Sequence, residues 1–330
     1  MASQYSTCER NRKPSIQIFN PRENVLYWLS LNEIDSQKRI FINIIFQEET
    51  FMKLVLYNDF QLGVLQGDTV VPVGDSVADL GHHNAQEMMQ MIITDWDAMQ
   101  SRIESAIEGG NGVALDTVTL QSPLPRPGQL MCAAGNYIEP SHPERELFNG
   151  FLKANTSVMP TGSTVELPDA EASVFHFEPE LALVIGKRAS HLSQADALDH
   201  VFGYTQFIDV SARGLPGGFF LGKSWHTFAP LGPALVTADE VSNPNDLSVK
   251  LWVNNALKHD FSTGDMARHI PELLEEITSV ITLEPGDVVA TGTHHEALSP
   301  IQDGFVVRLE VEGFGPHLEV SVHDSLKRRW

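Results

Sequence analysis

The chain has 330 residues, is 42% hydrophobic and carries a formal net charge of −21, with 22 lysines and arginines against 43 aspartates and glutamates. So acidic a surface repels a phosphate backbone and an anionic bilayer alike, so neither nucleic acid nor membrane is an expected partner. Two cysteines, Cys8 and Cys132, cannot build a disulfide framework and suit a reducing cytoplasm. No apolar run approaches the roughly 20 residues of a spanning helix, and no basic-then-apolar secretory signal opens the chain.

Residues 1–51 stand apart. They hold no glycine and no histidine, and their acidic and basic side chains cancel, so the net charge and all 24 glycines belong to the remainder. The stretch RIFINIIF (39–46) has strand character. The segment as a whole reads as an extension, poorly integrated, disordered or foreign to the native chain. From Met52, MKLVLYNDFQLGVLQGDTVVPV reads as short strands around Asn58-Asp59 and Gly67-Asp68 turns. Residues 84–108 are predicted as one helix, with Asn84 as N-cap and Gly109-Gly110 as its stop. Met88, Met91, Ile92, Trp96 and Met99 form its core stripe. The three prolines of QSPLPRPGQ mark a linker, assigning 52–122 to a small N-terminal β/α domain and 123–330 to a larger one. In that second part many short strands are punctuated by Gly and Pro, with helices expected at 193–200 and 270–281. No repeated βαβ pattern appears, so the expected class is α+β and β-rich rather than a doubly wound parallel sheet.

Within FHFEPELALVIGK (175–187), Glu178 and Glu180 precede the apolar run 181–185, which reads as a buried strand. In extended chain, residues i and i+2 point to the same side, so both carboxylates aim at one place. Left unpaired there they would repel and resist burial. GYTQFIDVSARGL (203–215) ends its apolar stretch in Asp209, a third carboxylate expected at a strand end, before a turn that presents Arg213. Three carboxylates brought together form a hard-oxygen site suited to Mg²⁺, Mn²⁺ or Ca²⁺. Lys223, in FLGKSWHTF, and Arg213 are the cations nearest in kind to hold an anionic substrate beside it. The bland alternative is a solvated edge strand, for which Pro179 between the two glutamates also argues.

Six motifs in order narrow the choice: GNY (135–137), FLKA (151–154), FEPELALVIGK, GYTQFIDVSAR, GKSWHTFAPLGPALVTADEV and LEPGDVVATGT. Together they resemble the fumarylacetoacetate hydrolase family over about residues 123–324. The resemblance implies a mixed β-roll catalytic domain, usually in a homodimer, using Mg²⁺ or Mn²⁺ on small anionic 2-oxo acids. It implies that Glu178, Glu180 and Asp209 are metal ligands, that Lys223 is the active-site lysine, and that Arg213, Lys153 and Thr293 line the substrate pocket. Many members carry a histidine three residues beyond the Asn-Tyr tyrosine, and a glutamate three further on, as a water-activating pair. Here Pro140 stands at the first of those places. His142, oriented by Glu144 or Glu146, is the candidate base. GTHHE replaces a more usual Gly-Thr-Pro and leaves His294 and His295 without an assigned role.

The function expected is metal-dependent cleavage of a C–C bond in an acylpyruvate or related diketo acid. Decarboxylation or tautomerisation of an oxaloacetate-like acid is the alternative, since neither needs a nucleophilic water. A non-catalytic small-acid binder is the third reading.

Overall fold

The computed structural model describes the strands Ser15–Asn20 and Val25–Ser30 and residues 52–141 and 143–330. The chain divides into two compact units, Met1–Thr50 and Phe51–Trp330. In the first unit the two strands pair antiparallel as a hairpin. The stretch 39–46, read above as strand-like, lies outside the described residues.

The second unit is built around an eleven-stranded sheet whose centre is the antiparallel pair Val174–Ile185 and Val201–Arg213. Lys53–Tyr57 joins that sheet through Ala234–Thr237, so the hairpin strands that follow Met52 continue the sheet that carries the acidic residues. A five-stranded sheet, including Ser248–Val253 and Val306–Val311, packs against one face. The alternation of the long strand decides which side chain meets which layer. Leu181, Leu183 and Ile185 enter the core shared with Val249, Leu251 and Leu309, while Ala182 and Val184 enter a second core with Met88, Met89 and Ile92. The strand is therefore buried on both faces, which is why 181–185 reads as continuous apolar sequence.

The helix expected over 84–108 is two helices, Ala85–Thr94 and Trp96–Gly109. Asn84 caps the first as anticipated, its side chain accepting from Glu87 N at 3.0 Å. Asp95 leaves helical geometry at φ −113°, ψ 38° and separates the two. Met88 and Ile92 are buried as the stripe requires, but Met89 and Ile93 rather than Met91 complete the buried face of the first helix, which is thus made of 88, 89, 92 and 93. The helix expected at 193–200 is only a single 3-10 turn, Ala197–His200. Ser193 Oγ donates to Asp196 Oδ2 at 2.7 Å, a local bond that competes with helix there. Ile270–Thr278 is helical and buries Ile270, Leu273, Leu274 and Ile277 on one face. No helix among the described residues is long and apolar enough to cross a membrane.

Candidate metal centre and active site

Glu178 and Glu180 lie inside the strand Val174–Ile185, not at its start, and Asp209 lies inside Val201–Arg213, which runs on four residues past it. Pro179 is tolerated because the flanking strand Val288–Ala290 pairs only with residues 182–184, leaving the strand one partner at the proline. Glu178 is paired in register with Asp209, and Glu180 with Phe207. Opposite residues of an antiparallel pair share a face, so the three carboxylates converge. One ligand atom from each lies within 4.8 Å of the others. Glu178 is 4% exposed, Glu180 and Asp209 1% each.

Three cationic side chains close over this cluster. Lys223, at the end of the short helix Gly218–Lys223, donates to Glu178 Oε2 at 2.7 Å and also to Asp209 Oδ2. Lys153, just beyond the strand Asn149–Leu152, donates to Asp209 Oδ1 and to the Val210 carbonyl at 3.1 Å. Arg213 Nη2 and Ser211 Oγ both donate to Glu178 Oε1, the latter at 2.7 Å. Burial opposes ionisation of Glu178, but Lys223 and then Arg213 overcome it and hold the carboxyl low, at about 2. Lys223 is held above its usual range: burial works against its charge, and Asp209 and Glu178 more than offset that. Lys153 is pushed down, chiefly by burial.

Glu180 is the exception. It accepts the Gly292 N–H at 2.7 Å and has no ion pair among the described residues. Burial, and then Asp209 and Glu178 beside it, raise its carboxyl well above the ordinary range. A buried carboxylate facing two others is a position that a divalent cation stabilises. Thr293, 1% exposed, has no hydrogen-bond partner for its Oγ1 among the described residues. The donor set of three carboxylate oxygens fits a hard divalent ion.

The backbone around Glu180 is shaped by Asn136, from GNY. Its amide donates to the Arg268 and Thr291 carbonyls at 3.2 and 3.0 Å, and its Oδ1 accepts Arg268 N at 3.0 Å. Gly292 has φ +90° and lies so close to Asn136 that a Cβ there would sit 3.3 Å from the Asn136 Cβ. Glycine thus lets the 291–293 segment present both an N–H and Thr293 to the cluster.

A cavity of about 520 Å³ is lined by Tyr137, Glu139, Glu144, His176, Arg213 and His295 among others. Arg213 joins it to the carboxylates through Glu178. Of the residues discussed from sequence, Glu178, Asp209, Lys223, Lys153 and Arg213 form one bonded cluster, with the Glu180 carboxylate converging on it. Thr293 adjoins it, and Glu144 lies exposed on the cavity wall. His142 lies outside the described residues. Two wall residues, His176 and Glu139, lie outside the residues that the motifs mark. His176 shares the parity of Glu178 on an alternating strand, a signal that was available. Glu139 reaches His295 across 156 residues of sequence, and no local pattern reveals that.

Residues 131–322 match the family model described as fumarylacetoacetate (FAA) hydrolase C-terminal. The maleylpyruvate hydrolase of Aquipseudomonas alcaligenes is 33% identical over 281 residues, covering 80% of this chain and 97% of that protein. The oxaloacetate tautomerase YisK of Bacillus subtilis is 33% identical over 269 residues, covering 77% and 85%. The crystal structure of maleylpyruvate hydrolase from Sphingobium sp. SYK-6, in complex with manganese(II) and pyruvate, superposes with a TM-score of 0.75 at 31% identity. That match covers 83% of this chain and 99% of the other.

Proposed function

The chain belongs to the fumarylacetoacetate hydrolase family, and on that premise we propose that it is a divalent-metal-dependent hydrolase cleaving a C–C bond of an acylpyruvate. The observation that carries the reading is the convergence of three buried carboxylates, one without a cationic partner, beside a cavity walled by Arg213 and two histidines. Glu178, Glu180 and Asp209 would hold Mg²⁺ or Mn²⁺, and the manganese-and-pyruvate complex of the Sphingobium relative supports both the metal and the 2-oxo acid. Bound there, the cation supplies Lewis-acid polarisation of the 2-oxo acid.

The chain's own residues supply the rest. Lys223 and Lys153 are held rigidly among the carboxylates, so they offset negative charge that develops on the departing pyruvate unit without reorganising. Arg213, half-exposed toward the cavity, receives the substrate carboxylate. Thr293 Oγ1 offers one further polar contact. Leu147, Leu152 and Phe220 are exposed apolar side chains available to a second copy, in keeping with a homodimer. The buried free thiol of Cys132, pushed up by burial, suits a reducing cytoplasm.

The similarity to an oxaloacetate tautomerase supports a second reading, in which the site only moves a proton on a four-carbon 2-oxo diacid. Purified protein loaded with Mg²⁺ or Mn²⁺ separates the two. Release of pyruvate from an acylpyruvate, abolished by chelator, supports the hydrolase. Enol–keto conversion or decarboxylation of oxaloacetate without acylpyruvate cleavage supports the alternative. Failure of all three reactions would leave a small-acid binder and sink the enzyme reading of this site.

A further inference from the structure

The two segments of the sequence that depart from the family pattern meet on one wall of the cavity. Glu139, two residues after the Asn-Tyr pair, is 4% exposed. Its Oε1 accepts the backbone N–H of His295 and lies 3.4 Å from Nδ1 of the same imidazole. His294 Nδ1 is 4.0 Å away. No lysine or arginine pairs with Glu139 among the described residues. A buried carboxylate is costly unless it is hydrogen-bonded, and the His295 backbone N–H, with two imidazoles beside it, is what faces Glu139. Ser141 N donates to Glu296 Oε1 at 2.8 Å, a second tie between the same two loops.

We propose that His295, oriented by Glu139, takes the proton of the attacking water in the C–C cleavage. The inference rests on the hydrolase reading above. The Glu139 carboxylate, 3.4 Å from Nδ1, favours a proton on that nitrogen through its charge and so leaves the Nε2 lone pair free, the arrangement a general base needs. His295 is 39% exposed at its side chain and lines the cavity with Arg213. His294 is less exposed, at 19%, and its ring stacks on Phe261 at 5.9 Å. His176 also lines the cavity, but among the described residues no carboxylate pairs with it and its Nδ1 is buried without a partner.

The step balances. The water oxygen bonds to the acyl carbonyl carbon while Nε2 takes one of its protons. The C–C bond then breaks, its electron pair stays with the carbon of the pyruvate unit, and that carbon receives the proton from Nε2. The acyl part leaves as a carboxylic acid, which ionises.

Three measurements on the metal-loaded full chain test this. His295→Ala should lower kcat for acylpyruvate cleavage by about 10²–10⁴-fold, the range for general-base catalysis, with KM changed by only a few-fold and partial rescue by added imidazole. Nitrogen-resolved NMR of the wild-type imidazole, without substrate, should find His295 protonated at Nδ1. In Glu139→Gln that preference should be lost and kcat should fall, while bound metal stays unchanged. An undiminished kcat in His295→Ala, or a wild-type proton on Nε2, would overturn the base assignment alone. Absence of acylpyruvate turnover in the wild-type protein would instead overturn the hydrolase reading, and this inference with it.

Discussion

Glu178 and Asp209 stand directly opposite each other on the two central strands and share the Lys223 ammonium. Each therefore depends on the other's charge being balanced, and a cation added beside Glu180 changes both. Asp209→Asn removes a ligand oxygen's charge while keeping its size. Loss of residues that merely support ligands costs 10–100-fold in metal affinity, so loss of this one should weaken Mn²⁺ binding by at least about 100-fold. Calorimetric titration of the purified variant checks this. Binding at the wild-type affinity would remove Asp209 from the site.

The same substitution strands Lys153, whose only carboxylate partner among the described residues is Asp209. Breaking a buried pair from one side typically costs about 3–5 kcal/mol, because the other charge is left without compensation. Burial already pulls the Lys153 pKa down, so the lysine can shed its proton and reduce that cost. Lys153→Met combined with Asp209→Asn removes both charges. Denaturant unfolding without metal should find the double variant more stable than Asp209→Asn alone, with a coupling energy of about 0.5–3 kcal/mol. Additive effects would mean that the pair is not energetically linked.

What the sequence revealed of this site was its period-2 part. In FHFEPELALVIGK the parity of Glu178 and Glu180 is readable without a structure, and it proved to be shared with Ala182 and Val184 on the face that meets the helices. Asp209 was expected at a strand end because its apolar run stops there. The strand continues because Val210 and Ala212 still face the core while Ser211 and Arg213 serve Glu178. The Asp95 break leaves no local signal in the sequence, since neither Gly nor Pro marks it. The Glu139–His295 contact was invisible for a different reason: it joins two loops through a tertiary approach that neither loop encodes alone.

The extension is expected to be dispensable, in line with its separate composition. Phe51–Trp330 is a compact unit of its own. Met52 N bonds Glu240 Oε1 at 2.6 Å, and Met52 O accepts Thr237 N at 3.1 Å. A chain starting at Met52 keeps both, since a terminal ammonium can donate to Glu240 as the amide did. It should be expressed in folded form with kcat within about 2-fold of the full chain, a difference below roughly 0.5 kcal/mol in barrier. Soluble, folded but inactive protein would show that residues 1–51 contribute to catalysis.

His259 should make the fold acid-sensitive. The residue is 2% exposed, its Nδ1 has no hydrogen-bond partner among the described residues, and Phe261 lies beside its ring. Burial, helped by His294, His295 and His176 and opposed by Glu178, lowers its pKa from 6.5 to about 4. The folded state thus keeps His259 neutral while the unfolded chain takes up a proton from about pH 6.5 downward. Its contribution is fully present above 6.5 and is lost as pH falls toward 4, after which both states are protonated. The full difference amounts to roughly 3 kcal/mol at 1.36 kcal/mol per pKa unit. His259→Leu fills the site with a side chain that does not titrate. Unfolding free energies of both proteins, measured from pH 8 to pH 4, should therefore diverge only below about 6.5, with the wild type losing the larger amount. Parallel curves across that window would show that His259 is not the group responsible.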